Sequence, residues 1–302
     1  MDRLDAMRIF AAVAESGGFA GAARRLLISP SAATRAVASL EEELGVTLLN
    51  RTTRVVRLTE RGEIFLDQCR RILEDVAAAE RLARGEDGEP RGRLTITAPV
   101  CFGRLNVLPV IDRLIAAHVS LSIRMILLDR VVDLIQEGID IGVRIGPLAD
   151  SALIATRVGE TRRVAVASPA YLQKHGAPEA PADLKSHRII AFESLEATRE
   201  WRFGEDGKIS VRLDSALAVN TADAAIAAAE AGLGVTRVLC YQAKAALAAG
   251  RLRLVLEDFA PAPVPVSLIR PAHRGASPNV NAFVETARAY FRERPVGVGL
   301  PG

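Results

Sequence analysis

An α/β fold with a helical head is what this chain predicts, and three stretches carry the expectation. Ser29–Leu44, SPSAATRAVASLEEEL, is a capped helix that follows another helix almost without a break. Thr59–Glu86 repeats apolar residues at spacings near 3.5 along a single long helical period. From Leu94 onward, short apolar runs alternate with helical periods, which is the pattern of a parallel sheet covered by helices.

Ser29 can accept from the orphan N–H groups of the first turn, and Pro30 suits the first helical position because its missing donor costs nothing there. Ala33, Val37, Leu40 and Leu44 give one apolar face, while Ser31, Ala32, Thr34 and Arg35 stand on the other near the N-terminus. Small polar groups and an arginine on the first two turns suit insertion into a DNA major groove; an ordinary amphipathic helix shows the same periodicity. Before it lies Phe19–Ile28, with Ala22, Ala23, Leu26 and Leu27 inward, and small alanines allow the close approach of a helix-turn-helix. Leu4–Glu15 supplies the third wall. Leu48, Leu49, Val55, Val56 and Leu58 flank Asn50–Arg54, NRTTR, which reads as a hairpin wing. Arg51, Arg54 and Arg57 would follow phosphates, and Thr52 and Thr53 let the tip approach the backbone. The chain has a net charge of only +3, so distribution matters more than the sum. Seven arginines lie between Arg24 and Arg61, whereas Glu41, Glu42 and Glu43 cluster at the distal end of the recognition helix and are expected to face away.

FAGAARRL…SPSAATRAVASLEEELGVTLLNRTTRVVRLTERG is similar to the N-terminal winged helix-turn-helix of LysR-type transcriptional regulators. The resemblance covers roughly the first sixty residues without a gap. Ala20 departs from the Ser or Thr cap usual in that family, and Pro30 replaces a frequent Gln. What the resemblance implies is sequence-specific binding to double-stranded operator DNA and contact with RNA polymerase.

The long helix is capped by Thr59, with Glu60 and Glu63 at its positive end and Arg81 and Arg84 at the other. At roughly 40 Å it exceeds one small domain, so a self-pairing seam through Cys69, Ile72 and Val76 is expected; packing wholly on its own chain is the other reading. Gly85–Gly92, GEDGEPRG, reads as a hinge.

Beyond it, strands are expected at Leu94–Ala98, Leu121–Leu128, Ile139–Arg144 and Val164–Ala167. Helices are expected at Phe102–Ala117, Val131–Glu137, Pro169–His175, Thr221–Ala231 and Cys240–Ala249. Pro261–Pro265 marks a crossover, Val266–Ile269 a strand returning to the first sheet, and Ser277 the cap of a last helix, Pro278–Arg294. APVCFGR at 98–104, DRVVDLIQEGIDIGVRIG at 129–146, RRVAVASPAYLQKHG at 162–176, EAGLGV at 230–235 and SPNVNAFVE at 277–285 resemble the LysR-type effector domain, related to periplasmic solute-binding proteins. Leu239 stands where that family often has a proline.

The expected organisation is residues 1–58 as the winged head, 59–90 as linker helix and hinge, and 91–302 as a two-lobed effector domain. Lobe one comprises 91–160 and 266–302, and lobe two 161–265. A cleft at the carboxyl ends of the strands selects Pro99, Val100, Cys101 and Phe102, then Arg144 and Gly146, then Ser168, Asn220, Thr221 and Thr236. Free amides, hydroxyls and Arg144 favour a small anionic ligand such as a carboxylate. Arg144 could instead pair with Asp133 or Asp140, and Asn220 and Thr221 could simply cap a helix. Cys101 at a helix start is either a pocket-lining thiol or, with its pKa lowered, a redox sensor.

No apolar run reaches ~18 residues, and Met1–Phe10 has no apolar core stretch, so neither a membrane span nor a signal peptide is expected, and the chain should stay in the cytoplasm. Three scattered cysteines and four isolated histidines suggest no metal site, and no cofactor is expected. An α/β enzyme and a solute-binding protein are the competing classes. The first would need a nucleophile–base set and the second export, and neither uses the head. The expected protein is a dimer or tetramer whose DNA binding answers to a ligand.

Overall fold

The computed structural model describes residues 2–51, 56–84, 88–148, 153–193, 199–272 and 277–297. The chain divides into two compact units, Met1–Gly88 and Glu89–Gly302.

In the first unit, α1 (Arg3–Ser16), α2 (Phe19–Leu26) and α3 (Pro30–Leu44) precede β1 (Leu49–Arg51), β2 (Val56–Leu58) and α4 (Glu60–Ala83). Ser29 Oγ accepts from Ala32 N at 3.1 Å, so α3 starts where the cap places it. α2 begins at Phe19 with Gly18 at the cap position and no side-chain cap; Ala20, expected at the cap, is the second residue of the helix. The turn between the two helices passes through Leu27, which has φ 56° although it is not glycine. Phe10, Val13, Ala22, Ala33, Val37 and Leu40 are fully buried together, and β1 and β2 pair antiparallel. Thr59 Oγ1 donates to Thr47 O at 2.8 Å and accepts from Gly62 N at 3.0 Å, which joins the wing to the start of α4. A Cβ on Gly62 would collide with the Leu48 carbonyl, so only glycine permits this approach.

Three expectations change here. Leu27, expected to point inward, is exposed at the turn. Cys69 is not a seam residue: with Leu66 it belongs to the buried core of this unit. Glu41 does not merely face away either, since its Oε1 accepts from Leu48 N at 2.8 Å and Leu49 N at 3.0 Å, tying the end of α3 to the wing.

The second unit contains two five-stranded sheets. Lobe one runs β3 (Gly92–Ala98), a short helical turn α5 (Val100–Phe102), a π-helical turn (Gly103–Val107), α6 (Leu108–Ala117), β4 (Leu121–Leu127), β5 (Ile141–Ile145) and β6 (Leu153–Thr161). Lobe two runs β7 (Arg163–Ala167), α7 (Pro169–His175), β8 (Ile189–Phe192), β9 (Glu200–Phe203), β10 (Ile209–Arg212), β11 (Ser215–Val219), α8 (Ala222–Glu230), β12 (Val235–Leu239), α9 (Cys240–Ala248) and β13 (Arg253–Val255). β14 (Val264–Pro271) and α10 (Pro278–Glu293) return to lobe one. The sheet orders are β4-β3-β5-β14-β6 and β11-β8-β12-β7-β13, with β9 and β10 forming a separate hairpin.

The chain crosses between lobes at Arg162, between β6 and β7, and again ahead of β14. Val131–Glu137 forms turns rather than the expected helix, because the Asp133 carboxylate takes the amides of Ile135 and Gln136. Ser277 precedes α10, but its side chain makes no cap bond. The Asn279 side chain instead accepts from Arg91 N at 2.9 Å and donates to Arg91 O at 2.7 Å.

Candidate DNA-binding and effector-binding sites

α3 buries Ala33, Ala36, Val37 and Leu40, which leaves the opposite face to solvent. Ser31 and Arg35 are exposed, with Ala32 and Thr34 half-buried beside them. Ser31 Oγ lies 3.0 Å from Ser29 Oγ, and Thr34 Oγ1 donates to Pro30 O at 2.9 Å, so both hydroxyls are held by the helix's own first turn. Ala38 and Ser39 continue the exposed face by another turn. Their place follows from the same helical period, though nothing in their residue type signals it. The Arg51 side chain and the whole of Thr52, Thr53 and Arg54 lie outside the described residues.

On α4, Ile72 is exposed and Val76 half-buried, while Ile64 is 62% exposed one turn further toward the helix start than Gln68. Ile72 and Val76 follow Cys69 at helical spacing, so they continue on one face the stripe that Cys69 and Leu66 begin in the core, and they leave its far part open.

Between the two lobes lies a cavity of about 190 Å³. Lobe one supplies Pro99 after β3, Asp129 after β4, and Arg144 and Gly146 at the end of β5; lobe two supplies Arg163, Tyr241 and Gln242. Leu128, Ile145, Phe192, Leu239 and Val264 form apolar walls. Arg144 Nη2 donates to Val132 O at 3.0 Å, so it pairs with neither Asp133 nor Asp140, and its burial lowers its pKa. Arg163 Nε is buried with no hydrogen-bond partner, and so is the Tyr241 hydroxyl. Burial raises the Asp129 carboxyl; the Val100 N–H, 3.0 Å away, lowers it, and the charge of Asp223 raises it again. Burial drives the Tyr241 phenol well above its ordinary range.

Of the residues expected in the cleft, Pro99, Arg144 and Gly146 line the cavity. The others are placed elsewhere. The Val100 amide is not free, because Asp129 Oδ1 takes it. Cys101 and Phe102 are buried in the lobe-one core, where Phe102 meets the Tyr241 ring edge-on at 5.3 Å. Burial pushes the Cys101 thiol up to about 11, with Asp223 reinforcing the shift and Arg104 opposing it, so neither the pocket-lining nor the thiolate reading fits. Ser168 follows β7, which runs antiparallel to β12, so its end points away from the cleft; it caps α7 through Tyr171 N at 3.3 Å. Thr236, the second residue of β12, lies beside Val166 and donates to Ile190 O at 2.9 Å, again at the far end. Thr221 caps α8 by accepting from Ala224 N at 3.3 Å, and neither it nor exposed Asn220 lines the cavity.

Sequence reasoning missed Arg163, Tyr241 and Gln242. Once β7 is known to be antiparallel, its first residue becomes a cleft residue, but strand direction left no local mark. Leu239, where a proline was noted as usual, donates its N–H to Gln242 Oε1 at 2.8 Å, a bond that proline could not make.

Residues 4–63 match the bacterial regulatory helix-turn-helix protein, lysR family, and residues 87–292 match the LysR substrate binding domain. The chain belongs to the LysR family of transcriptional regulators. It is 30% identical over 296 residues to the HTH-type transcriptional regulator YhjC of Escherichia coli, covering 97% of this chain and 99% of that protein. It is 31% identical over 295 residues to the transcriptional activator AaeR of the same species, covering 97% and 95%. The full-length virulence activator AphB of Vibrio cholerae superposes with a TM-score of 0.61 at 26% identity, covering 96% of this chain and 99% of that one. CrgA of Neisseria meningitidis, a LysR-type regulator, superposes with the same score and identity over 95% and 98%. This LysR-type regulator therefore joins a winged helix-turn-helix DNA-binding head to a two-lobed effector-binding domain. Among its described residues no helix is long and apolar enough to cross a membrane.

Proposed function

We propose that this regulator reads its operator through Arg35 on α3, with Ser31, Ala32 and Thr34 packed close to the base edges and Ser29 fixing the helix start. Arg51 and Arg54 of the wing neutralise phosphates, with Thr52 and Thr53 at its tip. The observation that carries this reading is the exposed arginine on the early turns of a helix whose opposite face is wholly core. α4 joins two copies through Ile72 and Val76, residues 59–90 serving as linker and the wing ending at 58. A small carboxylate between the lobes sets DNA affinity or geometry, and the promoter-bound protein then acts on RNA polymerase. Regulation of this kind works by binding, needs no catalytic set, and places the protein in the cytoplasm.

Binding titrations at several salt concentrations test the DNA assignment. Arg35→Ala should cost about 1–3 kcal/mol on the operator and flatten sequence preference, whereas Arg54→Ala should weaken all DNA alike and lower the salt slope by about one. Equal losses on operator and random DNA for Arg35→Ala would overturn the base-reading role.

A further inference from the structure

Two guanidinium groups line the interlobe cavity, Arg144 from lobe one and Arg163 from lobe two. Arg144 has one backbone carbonyl as its partner, and Arg163 Nε is buried with none. Among the described residues neither arginine is ion-paired with a carboxylate; the nearby pair to Glu257 is made by Arg162. Asp129 shares the cavity, but its Oδ1 is turned to the Val100 amide. The buried Tyr241 hydroxyl at the same wall is a third polar group, with Gln242 beside it but no hydrogen bond of ordinary geometry.

Both arginine side chains are half-buried, and a cation drawn partly out of water without a countercharge is costly, so a fold retains it where something else completes it. A single carboxylate would neutralise one guanidinium and leave the other bare. The cavity is small, about 190 Å³, so the occupant is short. The apolar walls leave the middle of the cavity to a hydrocarbon segment.

We propose that the effector is a short-chain dicarboxylate, one carboxylate on Arg144 and the other on Arg163, with the Tyr241 hydroxyl donating to it. This rests on the interlobe cavity being the effector site. Because the two arginines come from different lobes, such a ligand also bonds the lobes to each other. A monocarboxylate can occupy only one side, and so has less differential affinity for the closed state.

Calorimetry on the full chain tests this with malonate, succinate and glutarate, each against the monocarboxylate of equal length and against succinamide. At least one diacid should bind about ten-fold or more tightly than its monoacid, and Arg144→Gln or Arg163→Gln should each erase that advantage. A monoacid that binds as well as the diacid, or no binding by any diacid, overturns the proposal. Thermal unfolding without ligand gives a second test. Removing an uncompensated charge should leave Arg163→Gln as stable as the parent or more so, and a large drop in Tm would make Arg163 a structural residue and overturn its role. A neutral compound whose binding survives Arg163→Gln would sink the dicarboxylate while sparing the effector site. Val131→Trp, at a position 83% exposed on the cavity rim, serves the underlying reading. If no compound binds and this blocking variant leaves promoter response unchanged, the effector site itself lies elsewhere.

Discussion

Arg104 of lobe one and Asp223 of lobe two form an ion pair of 3.1 Å that joins the two halves of the effector domain. Arg104 projects from the π-helical turn and Asp223 from the first turn of α8, where a carboxylate also suits the helix dipole. Both side chains are more than half exposed, so the pair contributes at most about 1 kcal/mol and is screened by salt. A double-mutant cycle with Arg104→Ala and Asp223→Asn, read by thermal unfolding, should give a coupling below about 1 kcal/mol at low salt and near zero in about 0.5 M salt. A larger, salt-independent coupling would mean that the lobes are locked rather than lightly latched.

The helix-turn-helix turn carries a local strain that can be relieved. Leu27 has φ 56° and a side chain 93% exposed, so it occupies the left-handed region without packing in compensation. Asparagine tolerates that conformation better, and Leu27→Asn should raise stability by up to about 1 kcal/mol. Ser29→Ala should do the reverse, losing about 1 kcal/mol with the cap bond to Ala32. Urea midpoints of the two variants check both signs.

Assembly should depend on the open face of α4. Ile72→Glu with Val76→Glu places like charges on the open part of the stripe, beyond the buried positions of Leu66 and Cys69. The variant should fold, run as a monomer in light scattering, and lose at least about ten-fold in operator affinity as the two half-sites are uncoupled. An unchanged mass with intact DNA binding would show that copies join elsewhere.

The core cysteine sets an alkaline limit. Burial pushes the Cys69 thiol from 9.0 up to about 12, so the fold favours its protonated form. That contribution is complete below pH 9.0 and is lost as pH rises toward 12, with a slope of at most about 1.4 kcal/mol per pH unit. Cys69→Ala should flatten this part of the stability profile, as measured by denaturant titrations across that range. Cys101, raised to about 11, should be alkylated far more slowly than a free thiol at pH 8 in the native protein and at the ordinary rate once unfolded.

Local signals made the head legible. Ser29, Pro30 and the alanine spacing place α3 within the chain with no knowledge of its neighbours, because capping and amphipathic period act over a single turn or two. α10, the crossing near Pro261–Pro265 and the return of β14 to the first sheet were readable for similar reasons. Cys69 was misread because a seam facing a partner and a stripe facing one's own core have the same period. The turn at Asp133 was misread because its side chain competes for the backbone amides that a helix would use.

The amino-acid order by itself determined a capped recognition helix, a long linker helix and two α/β lobes. Only the tertiary structure decided what meets in the cleft. Ser168 left it and Arg163 entered it because β7 pairs antiparallel with β12, while Thr236 left it because it lies near the start of β12, whose other end, Leu239, lines the cavity. Strand direction is fixed by hydrogen bonds to a partner about seventy residues away along the chain, and loop closure over such a distance leaves no trace in the local pattern. Tyr241 reached the cavity wall for a related reason: the first turn of α9 carries its ring across the lobes onto Phe102, a contact that neither segment announces alone.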